Sequence, residues 1–372
     1  MKIGIDASNI RTGGGKKHLE DFVIESTKRF NNIKFFIISN KKINRSFIKY
    51  KNVKCTTNRL LNLNSFTSLL SQLLYSKSYF KKNICDIIFV PGGIFFSSFR
   101  PFITMSQNML PYDNEEIIKF QPLKRIKFYL IKLFQIHTFK KSDGIIFLTK
   151  YARNEIFKQG KFTKSNIIVP HGIKQREANT YKPLNKTYEI LYVSDFLPYK
   201  NQLKVVNSVY NLLEQGYDIS LKLVGRVDNR EYKKIKRLIK KNKKVNNRIQ
   251  ILGFMSSQEI INYYKRCSIF LFASTCENLP FILLEAMSFG LPILTTNKRP
   301  MCDIVYNEGV LFDINNPKSI EDTIIKNLDR DKLLRISQQN YNLSKKYLKE
   351  TSVNKALNFI INKGNYKYEF NE

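Results

Sequence analysis

The sequence is short of acid. It carries 30 Asp and Glu against 63 Lys and Arg, for a formal net charge of +33. The surplus is uneven: residues 1–175 hold 31 basic and 10 acidic side chains, the remainder 32 and 20. Such a charge draws a protein to an anionic acceptor or membrane surface, at roughly 1 kcal/mol per basic residue near a charged bilayer. Lysine-rich composition along the whole chain is the alternative origin. No aromatic–basic recognition signature of the RRM kind accompanies the charge, which argues against nucleic-acid binding. Long apolar runs are missing too, none reaching the roughly 18 residues of a membrane span. Met1–Asp6 enters a strand pattern at once, so no signal peptide is expected. The five cysteines (55, 85, 267, 276 and 302) are odd in number and contain no Cys-x-x-Cys pair, the pattern of free thiols in a reducing cytosol. With three histidines, none near a cysteine in sequence, no metal cluster is expected. No repeat of 20–50 residues appears, which excludes solenoids.

What is present is alternation. Short apolar runs of strand type alternate with helical patterns through both halves, which predicts α/β architecture with doubly wound sheets. Strands are expected at 2–6, 34–39, 86–90, 102–105, 144–148 and 166–169, and again at 188–194, 219–225, 249–252, 268–274, 292–296 and 309–312. The polar stretch Asn179–Lys186 reads as a linker. Two Rossmann-like domains follow, 1–175 and 188–350, facing a cleft, with a last helix at about 351–362 crossing back to the first and a frayed tail from Lys363. Ligands of open α/β sheets bind at the carboxyl edge of the strands. Ser256–Glu259 is a capping box opening a helix through Tyr264.

The richest segment is Glu277–Glu285, Glu-Asn-Leu-Pro-Phe-Ile-Leu-Leu-Glu. An apolar strand precedes it. Pro280 suits a first helical turn with Asn278 or Leu279 at the cap, and Gly290 then Pro292 end the helix. A strand–loop–helix junction of this kind offers free backbone amides and a positive dipole end to a phosphate. Two carboxylates on either side of it are placed to hold hydroxyls, which describes a nucleotide-sugar site.

These residues resemble the E-x7-E motif of the retaining glycosyltransferases of family 4, which have the GT-B fold. The context, from the strand before it to Glu285–Ile293 after, carries the resemblance. It implies transfer of a sugar from a nucleotide diphosphate donor to a growing bacterial surface polysaccharide, lipid-linked in one version, by a hexosyltransferase working at the cytoplasmic membrane face without a metal or other cofactor. Glu277 would orient the donor sugar and Glu285 the ribose, with Asn278, Leu279 and Pro280 at the donor phosphates. Thr12–Lys16 is a glycine loop between a strand and a helix; Gly13, Gly14 and Gly15 resemble the family's donor- and acceptor-facing loop. Tyr192–Asn201 resembles the family's diphosphate-gripping segment. Lys200 matches its lysine, but Asp195 stands where its arginine falls, leaving Arg226, after Gly225, to assist from the next strand end. Near the transferred sugar, where many members have histidine, this chain has Gln107 and Asn108; an amide can bind a hydroxyl but is no general base. That suits a front-face mechanism in which the leaving phosphate takes the acceptor proton. His171, in a Pro-His-Gly turn, reads as hinge geometry. Asp329-Arg-Asp331 is a literal D-x-D in a charged helical stretch and reads as surface. The run 123–136 is a basic amphipathic helix and Leu60–Leu74 adds an acid-free, leucine-rich one, both able to meet a membrane surface or to pack on the first sheet. The rival functions are a GT-B nucleotide-sugar epimerase and a non-catalytic sugar-binding homologue.

Overall fold

The computed structural model describes residues 1–11, 13–162, 165–176, 187–227, 230–240, 247–305 and 308–369. Thr12 and the expected linker residues 179–186 lie outside them. The chain divides into two compact units. One comprises Met1–Tyr112, Pro122–Gly172 and Lys349–Glu372; the other comprises Asp113–Gln121 and Ile173–Leu348. The range 1–175 is therefore interrupted, because Asp113–Gln121 bonds to loops of the second unit.

The first unit is built on seven parallel strands: β1 (Lys2–Asp6), β2 (Lys34–Ile38), β3 (Val53–Thr56), β4 (Ile87–Val90), β5 (Phe102–Ser106), β6 (Gly144–Phe147) and β7 (Ser165–Ile168). They run in the order β3-β2-β1-β4-β5-β6-β7, with the order reversing between β1 and β4. Every residue of β4, β5 and β6 is buried, so both faces of the sheet are covered there, and these strands are apolar apart from Thr104 and Ser106. β3 is absent from the sequence expectations because Val-Lys-Cys-Thr is a half-exposed edge strand without such a run.

Three helical expectations are corrected here. The glycine run is not a loop before a helix: the helix Gly13–Arg29 starts on it, with Gly13 at φ +68° turning the chain into the first turn. Leu60–Leu74 is not one helix. Asn64 ends Arg59–Leu63 and caps Ser65–Ser71, its Oδ1 accepting from the Thr67 amide at 3.0 Å while Thr67 Oγ1 accepts from its own at 3.1 Å. A π-type turn, Gln72–Ser76, then leads into Lys77–Lys82. The last helix runs Lys349–Glu369, through the point where fraying was expected. It is tied within this unit by Lys349 Nζ to Asp21 Oδ1 and by Ser352 Oγ to the Pro170 carbonyl, each at 2.6 Å.

Two of the three histidines meet in this core. His18 and His171 are buried, their Nδ1 atoms 3.2 Å apart. One Nδ1–H donates to the other, so a second proton would place two N–H groups head to head. Burial pushes His18 down to about 4; burial, then the neighbouring His18, pushes His171 well down. Depressed folded-state values mean stability that is complete above the ordinary value near 6.5 and is lost as the pH falls toward 4. For His18 this amounts to about 3 kcal/mol. The melting temperature should therefore fall between pH 7 and pH 5, above most carboxylate titrations. Replacing the ring, as in His18→Phe, should flatten that decline. An equally steep decline in the variant would remove the pair from the acid response.

The second unit has six parallel strands: β8 (Tyr188–Val193), β9 (Ile219–Val224), β10 (Ile249–Gly253), β11 (Ile269–Phe272), β12 (Ile293–Thr296) and β13 (Leu311–Phe312). Their order is β10-β9-β8-β11-β12-β13, reversing between β8 and β11. β13 is shorter than expected because Glu308–Val310 forms a 3-10 turn before it. Ser256 caps Ser257–Tyr264 with the reciprocal Glu259 contact expected of a capping box.

Candidate functional site

The β8/β11 reversal is where a sheet of this type leaves a crevice beyond its strand ends. Two loops of the second unit converge there. The chain leaving β8 makes a 3-10 turn, Pro198–Lys200, then passes Asn201 at φ +54° into the helix Gln202–Glu214. Asn201 locks this loop to the one after β11: its Nδ2 donates to the Tyr199 and Ala273 carbonyls, both at 3.0 Å. The Thr275 amide donates back to the Tyr199 carbonyl at 2.9 Å. The two loops thus bring Lys200 and Glu277 into an ion pair, with both side chains largely buried. Ser274 Oγ donates to the same Glu277 oxygen at 2.6 Å. The Lys200 ammonium lies 5.0 Å from the Tyr199 ring centroid and 5.1 Å from that of Phe272. Tyr192 donates its hydroxyl to the Lys200 carbonyl. The Lys200 ammonium and carbonyl are both held, which presents its charge in one place.

Asp195, where the resemblance calls for arginine, binds one. Its Oδ2 accepts from Arg226 Nη2 at 2.8 Å and Nε at 3.1 Å, and its Oδ1 from the Arg226 amide at 3.0 Å. These bonds raise the Arg226 pKa further above its ordinary value. A guanidinium is thus held at the β9 end, half exposed, by a fork geometry that fixes its plane. Gly225 makes the turn possible: at φ +151° any Cβ would stand 1.9 Å from the Ser194 carbonyl oxygen.

The helix expected after the Glu277 loop is Phe281–Ser288, and its cap is Pro280 itself rather than Asn278 or Leu279. Pro280 has no N–H, and its carbonyl accepts from the Leu283 amide at 3.1 Å. The Asn278 and Leu279 side chains are buried. In the first helical turn the Leu283 and Leu284 amides both donate to the Pro280 carbonyl. Glu285 sits in the second turn, close enough to Tyr264 to add to the burial that raises that phenol's pKa.

The remaining expected donor- and acceptor-facing residues, Gly13 to Gly15, Gln107 and Asn108, lie in the first unit. Gly13 and Gly14 face open space where a side chain would be, and Gly15 would place one 3.2 Å from Gln107 Oε1. The open first turn of Gly13–Arg29 and Gln107 are thereby neighbours. Asn108 is exposed beyond β5 and accepts from the Leu110 amide at 3.0 Å, the Asx-turn geometry of a chain reversal. Asp329 caps the helix Arg330–Ser344 by accepting from the Lys332 amide at 2.7 Å. Among the described residues no group of three or more His, Cys, Asp and Glu side chains is arranged to hold a metal ion.

Sequence reasoning missed Glu116. It is buried, and its Oε1 accepts from Thr275 Oγ1 at 2.6 Å and from Lys119 Nζ at 2.7 Å. Asp113, one turn earlier, bonds the Cys276 thiol, and burial raises its carboxyl above the usual range. Burial, reinforced by the carboxylates around it, raises the Cys276 thiol well above its ordinary value. The residues immediately before Glu277 are therefore clasped by a segment more than 150 positions earlier. The available signal was composition: Asp113, Glu115 and Glu116 are three of the ten acids in residues 1–175.

Residues 174–343 match the family model described as glycosyl transferases group 1. An uncharacterized glycosyltransferase of Methanocaldococcus jannaschii is 23% identical over 92% of this chain and 92% of its own. The capsular polysaccharide biosynthesis glycosyltransferase CapH of Staphylococcus aureus is 24% identical over 58% of this chain and 61% of its own. Among solved structures, Anabaena HepE in complex with UDP and glucose superposes with a TM-score of 0.71 at 17% identity, covering 97% of this chain and 99% of that one.

Proposed function

We propose, from a chain whose relatives and fold support a GT-B glycosyltransferase, that it is a retaining enzyme. In this reading it moves a hexose from a nucleotide diphosphate donor onto a growing surface polysaccharide. The observation that carries the reading is the Lys200–Glu277 pair at the β8/β11 reversal. Barrier lowering in such a transfer comes mainly from stabilising charge on the leaving diphosphate. Lys200, held through its ammonium and its backbone, and the first turn of Phe281–Ser288 are suited to that charge, with Arg226 adding a second cation. Glu277, paired with Lys200, would orient the sugar, and Glu285 would accept from ribose hydroxyls. Within the first unit, Gly13 and Gly14 leave open space and Asn108 carries a side-chain amide suited to hydroxyls. In the transfer the anomeric carbon–phosphate oxygen bond breaks as the acceptor oxygen bonds the same face, and the acceptor proton passes to the leaving phosphate. The cations and helix end serve where a metal would otherwise stand.

UDP-glucose is the first donor to test, because HepE has been crystallised with UDP and glucose. Glu285→Ala should weaken donor binding by about 1.5–3 kcal/mol, the range for hydrogen bonds to a charged group, with an unchanged melting temperature. Equal calorimetric affinity in parent and variant would remove Glu285 from the site. Transfer should also survive EDTA; loss restored by Mn²⁺ would refute the metal-free reading. Labelled donor yielding free nucleoside diphosphate and a labelled glycan supports transfer, whereas an altered free sugar supports an epimerase instead.

A further inference from the structure

Two helical runs of the first unit carry apolar side chains that are exposed among the described residues. On Pro122–Lys141, Leu123, Ile126, Leu130 and Leu133 recur at intervals of three and four, one helix face, and are 83%, 58%, 43% and 43% exposed. On Ser65–Lys82, Phe66, Leu70, Leu73 and Leu74 repeat the spacing, with Phe66 71% and Leu74 64% exposed. Both runs border one loop. Gln72 Nε2 donates to the Ile94 carbonyl at 3.0 Å, Thr138 Oγ1 accepts from the Phe95 amide at 3.0 Å, and the Phe96 ring meets Phe134 edge-on at 5.0 Å. The two runs that carry the stripes therefore flank the same segment of the same unit.

Charge identifies the occupant. No acidic residue occurs between Glu25 and Asp86 or between Glu116 and Asp143. Cations accompany the stripes: Lys124, Arg125 and Lys127 on one, Lys77, Lys81 and Lys82 on the other. Neither run carries an acidic side chain to meet the cations of a protein partner. We propose that this face docks the protein on an anionic lipid bilayer, the apolar stripes entering the acyl boundary and the cations meeting lipid phosphates. No helix among the described residues is long and apolar enough to cross a membrane, so the attachment lies in the interface plane. The inference rests on this surface and not on the transfer reaction, so vesicle binding and catalysis can fail separately.

The test is cosedimentation of the full chain with phosphatidylcholine vesicles, with and without phosphatidylglycerol, at low and high salt. The parent should partition strongly onto the phosphatidylglycerol vesicles, weakly onto phosphatidylcholine alone, and less as salt screens the cations. Changing Leu123, Ile126 and Leu130 to Ser, or Phe66, Leu73 and Leu74 to Ser, should each lower partitioning by about tenfold or more at every salt concentration. Changing Lys124, Arg125 and Lys127 to Gln should remove only the salt-sensitive part. Because the altered residues are exposed, melting temperatures should stay at the parent value, and turnover of a soluble acceptor should persist. A parent that stays in the supernatant, or serine variants that partition as the parent does, would overturn the proposal. So would a dimer, detected by sedimentation velocity without lipid, that the serine variants dissociate, since the occupant would then be a second copy.

Discussion

Lys200→Ala should reduce sugar transfer about 10²–10³-fold, the loss seen when one preorganised charge-stabilising group is removed. The same substitution should also destabilise the second unit. Glu277 is only 15% exposed as a side chain, and stripping a largely buried carboxylate of its cation costs about 3–5 kcal/mol. Ser274 remains as a donor at 2.6 Å, which places the loss toward the lower end. A second substitution separates the two effects. Lys200→Ala combined with Glu277→Ala leaves no unpaired charge, so the melting temperature should recover most of its fall while the rate stays low. Initial rates with a labelled donor and thermal unfolding of both variants measure the two arms. Parent-like transfer in Lys200→Ala would sink the catalytic assignment; a double variant as unstable as the single one would show that the pair is not what holds these loops.

Gly225→Ala should be among the most damaging single changes in the second unit. Its Cβ would lie 1.9 Å from the Ser194 carbonyl oxygen, a backbone atom that cannot rotate away. That carbonyl belongs to the turn which also carries Asp195 and, through it, Arg226. Relieving the clash means moving the chain after β8, and backbone shifts of that kind cost about 1–3 kcal/mol beyond the left-handed strain of similar size. Gly216→Ala is the control. Its φ of +87° is also left-handed, but nothing lies within 4 Å of the added methyl, so only the backbone term applies, about 1 kcal/mol. Denaturant unfolding of both should show Gly225→Ala losing at least twice as much stability. Equal losses would mean that the loop after β8 yields freely and that the close approach has no structural weight.

Much of the architecture is legible in the linear pattern because parallel strands buried on both faces must be apolar throughout. Ile87–Val90 and Ile269–Phe272 announce themselves for that reason. Among the edge strands β3 escaped, because Val-Lys-Cys-Thr has no apolar run to mark it, whereas β7, β10 and β13 were expected. Helix punctuation is legible where a side chain makes the cap, as at Ser256, and misread where backbone geometry does, as at Pro280 and the Gly13 turn.

By itself the sequence determined that the protein is an acid-poor α/β chain with strand-to-helix junctions at Lys200, Gly225 and Glu277, because periodicity and turn chemistry are local properties. Only the tertiary structure decided which of these side chains meet. Lys200 reaches Glu277 across 77 residues because β8 and β11 are neighbours despite two intervening strands. Asp195 finds Arg226 because β9 lies on the other side of β8. Glu116 clasps Thr275 although it precedes the whole second sheet in sequence. Each pairing depends on strand order and loop direction, and neither is encoded in the spacing of the residues that depend on it.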